Sequence, residues 1–325
     1  MSAHWKQRPE GGGRFAFRLI AFVARRGGRV LARLTLYPIV AYFLAVRGPE
    51  RRASRAYLRR VLDRRPGLLD IARHIHTFAA TILDRLYLLG GRMQPFDIRV
   101  SGLEALERHL DRGQGLLLFG SHLGSFEALR VLSRQRPGLK LRVLLDRGHN
   151  PALTELLDTL DPQIASTVID AGQDGPSIVL AIKQATDEGA IVALLVDRVG
   201  PGEPSVAVSF LGASAAFPSA PWLIAAALKV PVVLAFGLYR GGPRYDLIFE
   251  AFSDGVAIER PNRPAILAAL VQRYAERLQL HTRSAPYNWF NFYDFWHADD
   301  DQALPVDADA DAAVRRGVAA RRSGY

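Results

Sequence analysis

The sequence predicts an α/β fold: a mostly parallel central sheet flanked by helices, preceded by a basic helical N-terminal arm. Three observations lead there. From about residue 97, short apolar runs alternate with single helical stretches, the pattern of βαβ units whose sheet is covered on both faces. The positive charge is lopsided: residues 1–100 hold 20 Lys and Arg against 6 Asp and Glu, whereas the remainder holds 22 against 26, within a net charge of +10. Finally, 325 residues with 49% hydrophobic and 23% charged side chains suffice for one large or two ordinary domains, and they exclude a disordered chain.

The arm comes first. If Phe15 to Arg26 is helical, Arg14, Arg18 and Arg25 share one side at ~100° per residue, and Phe15, Leu19, Phe22 and Val23 occupy the neighbouring face. Gly27 and Gly28 are expected to break this helix before the apolar Leu34 to Val46 run. That run has 13 residues and contains Pro38, short of the ~20 apolar residues that cross a bilayer, so docking in the headgroup boundary is expected rather than a span. Arg51 to Arg65 extend the basic surface toward an anionic partner. The arginines alternate with bulky aliphatics and show no nucleic-acid reader motif, so no nucleic acid is expected. The first ten residues are polar, and the reading expects no secretory leader.

The body follows. Ser101 and Glu104 read as a capping box for a helix ending near Gly113. Strands are expected at Leu116–Gly120, Leu141–Leu145, Ala165–Ile169, Ala190–Val196, Val206–Phe210 and Val232–Leu238. Helices are expected at Phe126–Arg134, Ala152–Leu160, Ser177–Glu188, Ala220–Leu228 and Pro264–Leu280. Seven aromatics lie in the ten residues Tyr287 to Trp296 and are expected to pack their rings over the body. In such sheets chemistry gathers at the carboxyl ends of strands.

The stretch Leu116 to Leu129, LLLFGSHLGSFEAL, is the most informative. A buried strand ends at Gly120, Ser121 and His122 follow in a loop, and a helix is expected near Ser125 with Glu127 in its first turn. A loop imidazole beside a helix N-terminus is biased to its neutral, base-competent form, and a carboxylate on its other nitrogen fixes the tautomer. Glu127 is the expected carboxylate, which gives base-plus-orienter chemistry without a built-in nucleophile. Gly120-Ser-His-Leu-Gly124 has His where a hydrolase elbow needs Ser. The other histidines show no metal-ligand spacing, and no metal or cofactor is expected. The absence of cysteine excludes disulfides and any thioester on the protein itself.

With these residues in view, the chain resembles the lysophospholipid acyltransferase superfamily, within it the branch of late lipid A acyltransferases of lauroyl- and myristoyl-transferase type. His122 to Glu127 matches their H-x-x-x-x-[DE] motif. Leu144-Leu-Asp-Arg-Gly-His-Asn-Pro151, Leu194-Leu-Val-Asp-Arg198, and Val208-Ser-Phe-Leu-Gly-Ala213 with Phe217-Pro218 match further blocks in order. The resemblance implies catalytic roles for His122 and Glu127, and substrate-binding roles for Arg147, Asn150, Asp197, Arg198, Phe210 and Gly212. The branch usually has a membrane-spanning N-terminus and an aromatic pair where this chain has Phe210-Leu211. Tyr37-Pro38, Ser54-Arg-Ala-Tyr-Leu58 and Leu83-Asp-Arg-Leu-Tyr87 look closer to stand-alone acyltransferases of aryl polyene, xanthomonadin-type gene clusters.

The expected organisation is therefore a docking arm over residues 1–95, an acyltransferase domain over 96–297, and an acidic, then basic tail over 298–325. The expected activity moves an acyl group from acyl carrier protein or coenzyme A to a hydroxyl of a lipid or glycolipid, at an anionic membrane on the cytoplasmic face of the inner membrane. A non-catalytic lipid-binding or assembly protein with the same body is the competing reading.

Overall fold

A computed structural model describes residues 26–91, 94–129, 138–148, 154, 159, 167–200, 202–258 and 261–296. The Phe15 to Arg25 stretch, Asn150 and the expected tail lie outside them.

Helix α1 (Arg26–Val46) has a turn at Thr35 ahead of its Leu36–Val46 stretch, and at the glycine pair, where a break was expected, Gly28 takes a left-handed φ of +72° with helical hydrogen bonding on either side. Ala32, Leu36 and Val40 recur every fourth residue and are buried, so α1 packs along one stripe. It lies antiparallel to α3 (Leu68–Leu89): Arg29 meets Asp84, and the rings of Tyr37 and His76 are 5.5 Å apart. Between them, α2 (Gly48–Val61) starts with Pro49 in its first turn and buries Ser54, Tyr57, Leu58 and Val61.

A seven-stranded sheet follows, in the order β1-β9-β8-β2-β5-β3-β4. Its strands are β1 (Asp97–Ser101), β2 (Leu116–Gly120), β3 (Leu141–Leu145), β4 (Val168–Asp170), β5 (Ile191–Leu195), β8 (Val232–Gly241) and β9 (Arg244–Ser253). All neighbours are parallel except β8 and β9. In β2, Leu117 and Phe119 face a core built with α6 (Ala220–Leu228) and α7 (Arg263–Ser284), while Leu116 and Leu118 face one built with α1, α3 and α4 (Glu104–Leu110). Burial on both faces explains why these strands read as continuous apolar runs. Helix α5 (Gly175–Asp187) starts on Asp174, whose carboxylate accepts from Ser177 N–H at 3.0 Å.

The α/β class and mostly parallel sheet are as expected, and three details differ. The Ser101 capping box is absent: Ser101 ends β1, and the helix enters after Gly102 without a side-chain cap. The strand expected at Val206–Phe210 is not in the central sheet but pairs as β6 (Ser205–Phe210) with β7 (Ala213–Pro218) in a separate antiparallel ribbon. That ribbon turns at Leu211 (φ +50°) and Gly212 (φ +80°), the left-handed pair a two-residue hairpin turn requires. Finally, edge strand β1 alternates exposed and half-buried residues, its neighbour β9 alternates buried with more exposed ones, and neither carried an apolar run to mark it.

Candidate functional site

Strands β2 and β5 are paired so that Gly120 lies opposite Leu195. Two residues beyond each strand end come His122 and Asp197, which the parallel register brings together. His122 Nδ1 lies 2.8 Å from Asp197 Oδ1, and the His122 backbone N–H donates to Oδ2 at 2.9 Å. Trp289 Nε1 donates to the same Oδ2 at 2.9 Å. Asp197 is fully buried, whereas the His122 side chain keeps 29% of its surface exposed. The imidazole is thus fixed at Nδ1 and open on its other side.

Backbone contacts hold the loop. Ser125 N–H donates to Gly237 O of β8 at 2.7 Å, and Gly124 N–H to Asn288 O at 2.8 Å. Gly124 (φ +77°) approaches β8 so closely that a Cβ there would sit 1.8 Å from Gly237 O. Phe290 N–H donates to His122 O at 2.9 Å, so the aromatic segment after α7 pairs with the loop. That segment is anchored in turn: His74 Nε2 bonds Trp289 O at 2.9 Å, Tyr57 donates to Pro286 O at 2.6 Å, and Tyr287 donates to Asp70 at 2.7 Å.

The electrostatics suit a neutral base. Burial lowers the His122 pKa, Arg198 lowers it further, Asp197 opposes them, and Arg85 adds a smaller lowering. For Asp197, burial favours the neutral acid, but the charge and hydrogen bonds of His122 and the charge of Arg198 win and hold the carboxyl below its ordinary range. Phe126–Leu129 form a turn of 3-10 type, and the rest of the helix expected to run to Arg134 lies outside the described residues.

Glu127, expected to hold the imidazole, contacts other groups instead. Its Oε1 lies 2.7 Å from Arg85 Nε of α3, its Oε2 accepts from Ser125 Oγ at 3.1 Å, and among the described residues no hydrogen bond joins it to His122. The carboxylate that contacts His122 Nδ1 is that of Asp197, expected only to border the substrate. Arg198 is also at the site: it donates to Phe290 O at 2.5 Å and lies 5.7 Å from the Tyr293 ring. The Arg147 N–H donates to Asp170 Oδ1 at 3.3 Å, two residues past the end of β3, the strand that flanks β5 on the side away from β2. Phe210, expected against substrate, is fully buried between Phe217, Trp289, Phe295 and Trp296, and Gly212 serves the ribbon turn. Trp289 and Arg85 were missed as site residues, although one lies in the aromatic run and the other in Leu83–Tyr87. Among the described residues no group of three or more His, Asp and Glu gathers that could hold a metal ion.

A family profile described as bacterial lipid A biosynthesis acyltransferase matches residues 80–297, which take in His122, Asp197, Arg85 and the aromatic segment. No curated protein matches the chain.

Proposed function

Since the chain belongs to the bacterial lipid A biosynthesis acyltransferase family, and so is an acyltransferase of lipid substrates, we propose that it transfers an acyl group from a thioester to an acceptor hydroxyl with His122 as general base and Asp197 as its orienter. The observation that carries this reading is the 2.8 Å contact between His122 Nδ1 and a buried carboxylate, in a side chain that stays partly exposed. Nδ1–H donates to Asp197, which leaves Nε2 with its lone pair for the acceptor hydroxyl. The hydroxyl oxygen attacks the thioester carbonyl as Nε2 takes its proton, and Asp197 stabilises the imidazolium. Collapse of the tetrahedral intermediate breaks the C–S bond, and the imidazolium returns the proton to the thiolate. The products are an ester and a free thiol. The N–H groups of Gly124 and Ser125 are engaged by Asn288 and Gly237, so an oxyanion would draw its donors from elsewhere in the site.

The chain contains no cysteine to carry an acyl group, which favours a pantetheine thioester as donor, with acyl carrier protein ahead of coenzyme A by the family analogy. Membrane docking is part of the proposal. Helix α1 is long and apolar enough to cross a membrane by length and composition. Its buried stripe, however, packs on the body, and Arg29 and Arg33 close on the buried Asp84 at 2.7 and 3.8 Å. Val30, Leu31, Leu34, Tyr37, Tyr42 and Val46 remain exposed, as do Leu68 and Leu69 at the start of α3. A helix fastened along one side and apolar on the other suits an orientation in the plane of an anionic membrane. The inner membrane's cytoplasmic face and an acceptor of aryl polyene type belong to the same proposal and rest on the sequence resemblance.

The experiment is thiol release from lauroyl-loaded acyl carrier protein and from lauroyl coenzyme A, with anionic vesicles carrying bacterial lipid extract, for the wild type and His122→Ala. Release by the wild type alone, with new ester in the lipid fraction, supports the reading. Vesicle binding without thiol release by either protein supports the non-catalytic lipid-binding reading instead.

A further inference from the structure

Arg85 extends from α3 to the edge of the site and has an unusual set of contacts. Its Nε lies 2.7 Å from Glu127 Oε1, close enough for an ion pair. The buried Nε–H nevertheless has no acceptor at hydrogen-bonding geometry, and among the described residues neither terminal nitrogen has one. Other arginines differ: Arg29, Arg64 and Arg277 each grip a carboxylate through two nitrogens, on Asp84, Asp70 and Glu250. Arg85 is charge-compensated yet keeps its donor fork, with 26% of the side chain exposed. Its charge is near enough to act on the His122 imidazole. Glu127, itself fixed by Ser125 Oγ, holds this guanidinium beside the base.

We propose that Arg85, aimed by Glu127, is a binding residue for an anionic oxygen fork, a phosphate or carboxylate, carried by the acceptor close to the hydroxyl that is acylated. A planar fork of N–H donors matches such a group through two parallel charge-assisted bonds. The assignment to the acceptor rests on the acyl-transfer reading of His122. With the thioester carbonyl at His122, the donor's own phosphate lies a whole pantetheine arm away. An anion next to the base must therefore enter with the attacking hydroxyl. The motif carboxylate Glu127 then presents Arg85 rather than relaying the proton.

The probe is inorganic phosphate, titrated into the full-length protein by calorimetry at constant ionic strength and tested as an inhibitor of lauroyl coenzyme A cleavage. Loss of the charge-assisted bonds should weaken phosphate binding ~10- to 100-fold in Arg85→Met, and Arg85→Lys, which keeps the charge but not the fork, should fall between. Arg244→Met, on an exposed residue at the start of β9, should bind as the wild type does. Should Arg85→Met melt early because Glu127 is left unpaired, the neutral pair Arg85→Met/Glu127→Gln carries the same test. Inhibition that saturating donor does not relieve places the anion on the acceptor side. Relief by donor, or equal phosphate affinity in the wild type and the Arg85 variants, overturns the proposal. A protein that binds phosphate through Arg85 but cleaves no thioester overturns the acyl-transfer reading and leaves the anion site standing.

Discussion

Asp197→Asn is the most informative perturbation of the dyad. It is nearly isosteric, so Trp289 Nε1 and the His122 N–H keep an oxygen to bond, but the buried negative charge is lost. With about 4 Å between charge centres and an effective dielectric near 20, the carboxylate stabilises an imidazolium by about 4 kcal/mol. That corresponds to about a thousandfold in rate, inside the ~10² to 10⁴ range of general-base help. An asparagine N–H facing Nδ1 would also move the ring proton to Nε2, the nitrogen that must accept the acceptor's proton. We expect kcat to fall ~10³-fold with little change in donor KM, in a protein that melts within a few degrees of the wild type. Glu127→Gln is expected to lose less, and mainly through acceptor KM. Thiol release under saturating donor, read beside a melting curve, is the assay. A folded Asp197→Asn protein keeping a tenth of wild-type kcat, beside a Glu127→Gln protein reduced a thousandfold, would refute the dyad and restore the pairing expected from sequence.

Further outcomes follow from the same contacts. The double variant His122→Ala/Asp197→Asn should be little slower than His122→Ala alone, because the two act as one unit; kinetic losses that multiply would contradict this. Burial lowers the His74 pKa to about 4 against a hydrogen bond to Trp289 O. The unfolded chain therefore takes up a proton first as pH falls below ~6.5, and stability present above that pH is lost progressively, by about 3 kcal/mol at pH 4. Urea midpoints should show the wild-type advantage over His74→Gln shrinking from pH 7 to pH 4.5, and a constant difference would exclude His74 as the cause. Asp84→Ala should cost about 3 to 5 kcal/mol, since it strands Arg29, Arg33 and the Tyr245 hydroxyl, and trypsin should then cut within α1 before the body unfolds. In Gly124→Ala the new Cβ would meet Gly237 O, so activity should fall ~100-fold or more with far-UV dichroism unchanged; wild-type turnover would mean the loop need not touch β8.

How much of this was legible depended on where the information lay along the chain. Leu116–Gly120 was read to the residue because a strand buried on both faces is a continuous apolar run, and Leu141–Leu145, half-buried along its length, because only Arg142 interrupts its apolar residues. Asp97–Ser101 at the sheet edge and Arg244–Ser253 beside it were not, because both interleave charged with apolar residues. The loop after Gly120 was legible as the carrier of His122, while the carboxylate that contacts its ring in the structure, Asp197, was not the one expected. A sequence reading looks for a carboxylate within one turn and finds Glu127, five residues on. The structure supplies one from 75 residues away. What joins His122 to Asp197 is strand order: only when β5 is known to lie beside β2, with Gly120 opposite Leu195, do the second residues past the two strand ends fall face to face. Leu194-Leu-Val-Asp-Arg198 gave the strand and the carboxylate but nothing about its neighbour. In a parallel sheet every strand end is a potential partner of every other, so adjacency carries the pairing information, and adjacency is a property of topology rather than of spacing. The same argument covers Trp289. Its indole completes the carboxylate's hydrogen bonds from a segment 92 residues beyond Asp197, and that segment reaches the site because His74, Tyr57 and Asp70 of the N-terminal helices hold it there. The helices that would meet the membrane and the carboxylate that would orient the base thus share one continuous run of hydrogen bonds.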